Sequence, residues 1–109
     1  MAANSRVAQA RLSELKASFM ASLPDRIDQI RRAASGRELQ LGDLRDTAHQ
    51  LAGTAPMFGL ARRGELAADV ERIAREALVA SDGLKGDQER RIGELLDQMD
   101  RCVESRAEG

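Results

Sequence analysis

The sequence predicts an all-α protein, an antiparallel four-helix bundle, and three observations carry that prediction. Alanine and arginine are abundant. Isoleucine and valine occur singly, so no stretch shows the apolar-polar alternation of a half-buried strand. Four segments repeat apolar residues every three or four positions, the period of one face of a helix. The connections between these segments are short, so consecutive helices return beside each other in an up-down-up-down course.

The first segment aligns Ala8, Leu12, Leu15, Phe19, Leu23, Ile27, Ile30 and Ala34 on one stripe from about residue 5 to 35. Pro24 interrupts it, removing a backbone donor and crowding the preceding turn. Because the phase continues across Pro24, the segment is one long kinked helix, or two nearly collinear helices split there with Ser22 capping the second. Residues 35–43, "SGRELQLGD", form a loop, with Asp43 placed to cap the next helix. Leu44, Ala48, Leu51, Ala55 and Phe58 form the second stripe; Pro56 weakens or ends that helix and Gly59 turns the chain. The third stripe is Leu66, Val70, Ile73 and Ala77, with a parallel row at Ala67, Ala74 and Leu78. "ASDGLKGD", residues 80–87, breaks it. The last helix begins near Asp87 and buries Ile92, Leu95, Leu96, Met99, Cys102 and Val103, and the tail "SRAEG" frays. The expectation is a single domain over 1–109, with its core at about 5–105.

Composition excludes several functions. The chain has 109 residues, 17 basic and 18 acidic, and a net charge of −1, which gives no bulk attraction to nucleic acid or to a membrane surface. Phe19 and Phe58 are its only aromatic residues, too few for a base-stacking platform. No apolar run approaches the ~18–20 residues of a membrane span, and "MAANSRVAQAR" lacks the apolar core of a signal peptide. A cytoplasmic protein is expected. With one cysteine, Cys102, and one histidine, there is no His/Cys ligand set for a metal and no intrachain disulfide. No G-x-S-x-G nucleophile motif is present.

The single histidine, His49, lies in "TAHQLAGTAPMFG", residues 47–59. It follows Ala48 of the core stripe, so it sits about 100° around the helix, at the edge of the buried face. Its neighbours toward the C-terminus at i+3, i+4 and i+7 are Ala52, Gly53 and Pro56, none with a long side chain. The imidazole therefore stands over a bare shelf that a bulky partner can approach. Gly53 costs about 1 kcal/mol relative to alanine in a helix, so close helix packing or room beside His49 selected it. Glu71 is a second anomaly, a carboxylate on a helix face shared with Ala67, Ala74 and Leu78. Arg75 at i+4 is one partner open to it.

"HQLAGTAPMFG" resembles the signature of histidine-containing phosphotransfer (HPt) domains, H-x-L-K-G-x-S/A-x-x-x-G, with His49, Leu51, Gly53, Ala55 and Gly59 in register. The likeness extends over the whole chain in length, helix order and the proline of the first helix. It implies that His49 receives a phosphoryl group from an aspartate of a receiver domain, or from a kinase such as a hybrid sensor histidine kinase, and passes it to a response regulator. It also implies that Glu71 stands where relatives place a glutamine or glutamate bonded to the ring nitrogen that is not phosphorylated. If Glu71 accepts from Nδ1–H, Nε2 is left outward as the nucleophile.

The family's usual lysine, three residues after the histidine, is Ala52 here. Arg45, one turn back, is the nearest basic substitute, and Arg62 and Arg63 lie just past the turn at Gly59. These three arginines are expected to meet the acidic mouth of a receiver, with Ala52, Gly53 and Pro56 giving access to the ring. The chain is expected to need no cofactor or metal of its own, Mg2+ belonging to the receiver, and to act as a monomer without autonomous kinase activity. Ala52 favours a second class of function, an HPt-like interaction module that binds a kinase or receiver without efficient phosphotransfer.

Overall fold

A computed structural model describes residues 2–35, 40–81 and 83–102, with the side chains of the first helix described from Arg6 onward. Among the described residues there are four α-helices and no strand: α1 (Ala2–Ala34), α2 (Leu41–Thr54), α3 (Ala61–Ala80) and α4 (Gly86–Arg101). α1 packs on α2 and α4, α2 on α3, and α3 on α4, closing a ring around one core. Ile30, Leu44, Leu51, Leu66, Ile92, Leu95, Leu96 and Met99 are fully buried in it. None of the helices over the described residues is long and apolar enough to cross a membrane.

The predicted stripes are the buried faces, with one exception. In α1, Phe19, Leu23, Ile27, Ile30 and Ala34 are buried, but Ala8, Leu12 and Leu15 are exposed although they share the phase. The buried face of α1 therefore begins at Phe19, although the apolar stripe extends further toward the N-terminus. The reason is length. At 1.5 Å per residue, α1 is about 50 Å long, whereas α2 and α4 reach about 20–25 Å. The short helices cannot cover both halves of the long one.

α1 runs unbroken through Pro24. Ser22 is therefore not an N-cap. Its hydroxyl donates to the Phe19 carbonyl (2.6 Å) and accepts from Nε of Arg26 (2.7 Å). Phe19 packs on Phe58, ring centroids 5.2 Å apart, which ties α1 to the end of the α2 segment.

α2 begins at Leu41 rather than after Asp43. Burial of Leu41 and Leu44 draws the extra turn into the helix, and Asp43 becomes a first-turn carboxylate facing the positive end of the helix dipole. At its other end Pro56 tightens the chain into a 3-10 turn, Ala55–Phe58, and Gly59 closes it in the left-handed conformation (φ 79°), which glycine adopts without strain. In α4, Ile92, Leu95, Leu96 and Met99 are buried as predicted and Cys102 is half-buried. Val103 and the tail lie outside the described residues.

Candidate functional site

α2 seats Leu44, Ala48 and Leu51 in the core, and the next position round the helix from Ala48 carries His49 outward. The imidazole is 73% exposed, further out than a residue at the core's edge. Ala52 is half-buried, and Gly53 and Pro56 are exposed beside it. A β-carbon built on Gly53 meets nothing within 4 Å. Close helix packing is thus not the reason for this glycine, and open space next to His49 is what it leaves.

The glycine that does serve helix packing is Gly64, which no local pattern in the sequence marks out. A β-carbon there would lie 2.7 Å from Cγ and 2.9 Å from Cδ of Pro56, and 3.3 Å from the Ala52 carbonyl oxygen. Gly64 therefore lets the α3 backbone approach the end of α2. Seven residues, two turns, separate Gly64 from Glu71 on α3, and seven separate His49 on α2 from Pro56 in the 3-10 turn that follows it. The close approach at one pair sets the register that brings the other pair together.

Glu71 is largely covered, its side chain 13% exposed. Its Oε2 lies 3.0 Å from Nδ1 of His49 and 2.5 Å from Nη2 of Arg75. The two partners are not alternatives, because one oxygen holds both. A carboxylate only accepts, so Nδ1–H donates to Glu71 and the lone pair of the neutral ring lies on Nε2. Among the described residues no group hydrogen-bonds Nε2. The site is thus a ring anchored at one nitrogen and open at the other.

The three arginines expected around the site have different surroundings. Arg45 turns its Nε and Nη2 to Asp46 (3.1 and 3.0 Å). Arg62 is exposed and reaches Glu65 (3.3 Å) and Gln98 of α4 (3.1 Å). Neither bonds His49 or Glu71. Arg63 is buried, contrary to the expectation of a docking residue. Its Nε donates to the Met99 carbonyl (3.2 Å) and its Nη2 to the Cys102 carbonyl (2.8 Å), closing the C-terminal end of α4, where carbonyls lack helical donors. The signal was in the sequence. Arg63, Ala67, Val70 and Ala74 share one helix face, so this arginine points inward.

Among the described residues no group of three or more His, Cys, Asp or Glu side chains is placed to hold a metal ion. What the arrangement offers is a single exposed nucleophilic nitrogen, backed by a carboxylate and bordered by small residues. No curated protein and no solved structure matches the chain. The family model of the Hpt domain matches residues 14–104. That span takes in all of α2, α3 and α4 and the buried part of α1, and so the chain belongs to the Hpt domain family, the histidine phosphotransfer domains of two-component phosphorelays.

Proposed function

We propose that this protein is a phosphorelay carrier in which Nε2 of His49 accepts a phosphoryl group from the aspartyl phosphate of a receiver domain, or from a hybrid sensor kinase, and returns it to a response regulator. The observation that carries the reading is the 3.0 Å contact between Nδ1 of His49 and Glu71, with Nε2 left open. In the transfer, the Nε2 lone pair bonds to phosphorus, the P–O bond to the aspartate breaks, and the aspartate leaves as a carboxylate. The ring becomes a cation that keeps its Nδ1 proton, and Glu71 faces that developing charge across a charge-assisted hydrogen bond.

Phosphoryl transfer asks mainly for in-line positioning and charge neutralisation. In this reading the Mg2+ belongs to the receiver and the chain supplies the nucleophile alone, as a cytoplasmic monomer. The partner approaches over Ala52, Gly53 and Pro56, with Arg45 and Arg62 at the rim. Such a contact is small and transient. An antiparallel up-down-up-down course, with α1 bent at Pro24 and the whole chain as one domain, fits the pairings of His49 with Glu71, Arg62 with Gln98, and Arg31 with Asp97 and Asp100.

The test is incubation with a phosphorylated receiver domain, followed by assay for an acid-labile, base-stable label on the chain. Label on the wild type and none on His49→Gln is the expected result. A labelled His49→Gln would refute His49 as the acceptor. A second reading, an interaction module without efficient transfer, is favoured by Ala52 in place of the family's lysine and by the engagement of Arg45 with Asp46. Receiver binding with no label on the wild type would establish it.

A further inference from the structure

Arg75 and His49 put their donors on the same oxygen. Oε2 of Glu71 is 2.5 Å from Nη2 of Arg75 and 3.0 Å from Nδ1 of His49. A guanidinium has five N–H donors, no acceptor, and does not give up its proton in a protein. The oxygen facing it therefore carries no hydrogen, and an oxygen without hydrogen can only accept. Whatever meets Oε2 from the other side must bring the hydrogen. Nδ1 is then the N–H nitrogen, and the lone pair of the neutral ring is confined to Nε2.

Without Arg75 a second arrangement opens. The single proton of the neutral ring can pass from Nδ1 to Nε2 through solvent once the carboxylate no longer holds it, which leaves the N–H on Nε2 and removes the nucleophile. The carboxylate also becomes free to turn away from the ring. Its environment makes this consequential. Glu71 is 13% exposed, so water is a poor substitute for a lost partner, whereas Arg75 is 60% exposed and its removal leaves little buried behind it.

We infer that Arg75 is a positioning residue for His49. By occupying Oε2 of Glu71 it fixes that oxygen as an acceptor and holds the imidazole in the Nδ1–H tautomer. This rests on His49 being the phosphoryl acceptor, and it goes beyond the site the sequence outlined, where Arg75 was only a helix-surface partner at i+4. It differs from the role of the lysine that Ala52 replaces, because Arg75 acts on the rear nitrogen of the ring.

His49 is the only histidine of the chain, so its ring nitrogens give unambiguous NMR signals. The experiment records long-range 1H–15N ring spectra of the full 15N-labelled chain in mildly alkaline buffer, with single-turnover transfer from a phosphorylated receiver alongside. The proteins are wild type, Arg75→Ala, Arg75→Gln and Arg75→Lys. Wild type is expected to show the Nδ1–H pattern. In the Ala and Gln variants the nitrogen shifts move toward the Nε2–H pattern and transfer slows about tenfold, the usual scale for losing a residue that orients a reacting ligand. Lysine is also donor-only, and Arg75→Lys restores both readouts. Circular dichroism confirms that each variant is folded. Unchanged ring shifts in folded Arg75→Ala overturn the inference, even if transfer slows. Ring shifts that move as expected in a protein whose wild type takes no label support the tautomer lock and refute instead the reading of His49 as acceptor.

Discussion

A β-carbon on Gly64 would stand 2.7 Å from Cγ and 2.9 Å from Cδ of Pro56. Neither atom can swing away, because both belong to a ring closed on the backbone. Gly64→Ala is therefore expected to cost about 1–3 kcal/mol through overpacking. Gly53→Ala is expected to gain up to about 1 kcal/mol in helix propensity, since its β-carbon meets nothing. Thermal unfolding of the two variants checks this. At about 4–8 °C per kcal/mol for a domain of this size, their melting temperatures should move in opposite directions. A common direction would mean that the α2–α3 contact does not set the helix spacing.

Leu12, Leu15 and Leu23 share one helical stripe, yet Leu12 and Leu15 are 53% and 58% exposed and Leu23 is 5% exposed. Replacing either of the first two by alanine should change unfolding free energy by no more than about 0.5 kcal/mol. Leu23→Ala should cost about 2–5 kcal/mol, the lost transfer energy plus the cavity. Denaturant unfolding separates these outcomes. Equal costs at all three positions would show that the first half of α1 is covered in solution.

Periodicity made the helices legible because a buried face must recur with the helical turn. It says which face is apolar but not whether another helix reaches it, and hence Ala8, Leu12 and Leu15 lie on the stripe yet stay exposed. Helix lengths, also in the sequence, account for this. Asp43 looked like a cap on composition, yet the burial of Leu41 extended α2 past it. At the site, His49, Glu71 and the small residues beside the ring could be singled out from local pattern and family resemblance. What local pattern could not supply was distance between helices. Thus the sequence leaves Gly53 open between helix packing and room beside His49, and gives no sign of Gly64, whose role depends on Pro56 of another segment. Arg63 is a docking candidate from its place just past the turn at Gly59, whereas its row with Ala67 and Val70 faces the core.

Arg63 gives a test of that last distinction. Its guanidinium holds the Met99 and Cys102 carbonyls from a buried position. Arg63→Ala should destabilise the fold by roughly 2 kcal/mol or more, since hydrogen bonds from charged donors contribute about 1.5–3 kcal/mol. Arg62→Ala, losing exposed pairs, should stay within about 0.5 kcal/mol. Assayed below the unfolding range, folded Arg63→Ala should accept label at the wild-type rate. A selective transfer defect in that variant would reinstate Arg63 as a docking residue.

Gly53 lies one turn from His49 over open space. Gly53→Gln should leave the fold as stable as wild type or gain about 0.5 kcal/mol, because no neighbour obstructs the new side chain. Transfer from a phosphorylated receiver should nevertheless slow sharply, as the long amide fills the approach to Nε2. Single-turnover labelling beside a melting curve decides it. Unimpaired transfer would mean that the partner does not approach over this shelf.

Glu71 joins two donors that otherwise have no reason to meet, Nδ1 of His49 and Nη2 of Arg75, on one carboxylate oxygen. Removing it acts on chemistry more than on stability. His49 and Arg75 are both well exposed, so each can turn to water when Glu71→Ala withdraws their acceptor. The ring then loses its fixed orientation and tautomer, and the cation formed on phosphorylation loses its counter-charge. Transfer should fall about 10- to 100-fold, with a change in unfolding free energy of about 1 kcal/mol or less. Glu71→Gln should lie between this variant and wild type. Its amide oxygen still accepts from Nδ1–H, but the negative charge facing the phosphorylated ring is gone. The rate order wild type, Gln, Ala in single-turnover transfer is the check, with ring 15N shifts to show whether the tautomer follows. Equal, wild-type rates in all three would remove Glu71 from the site and leave its contact with His49 a feature of the surface alone.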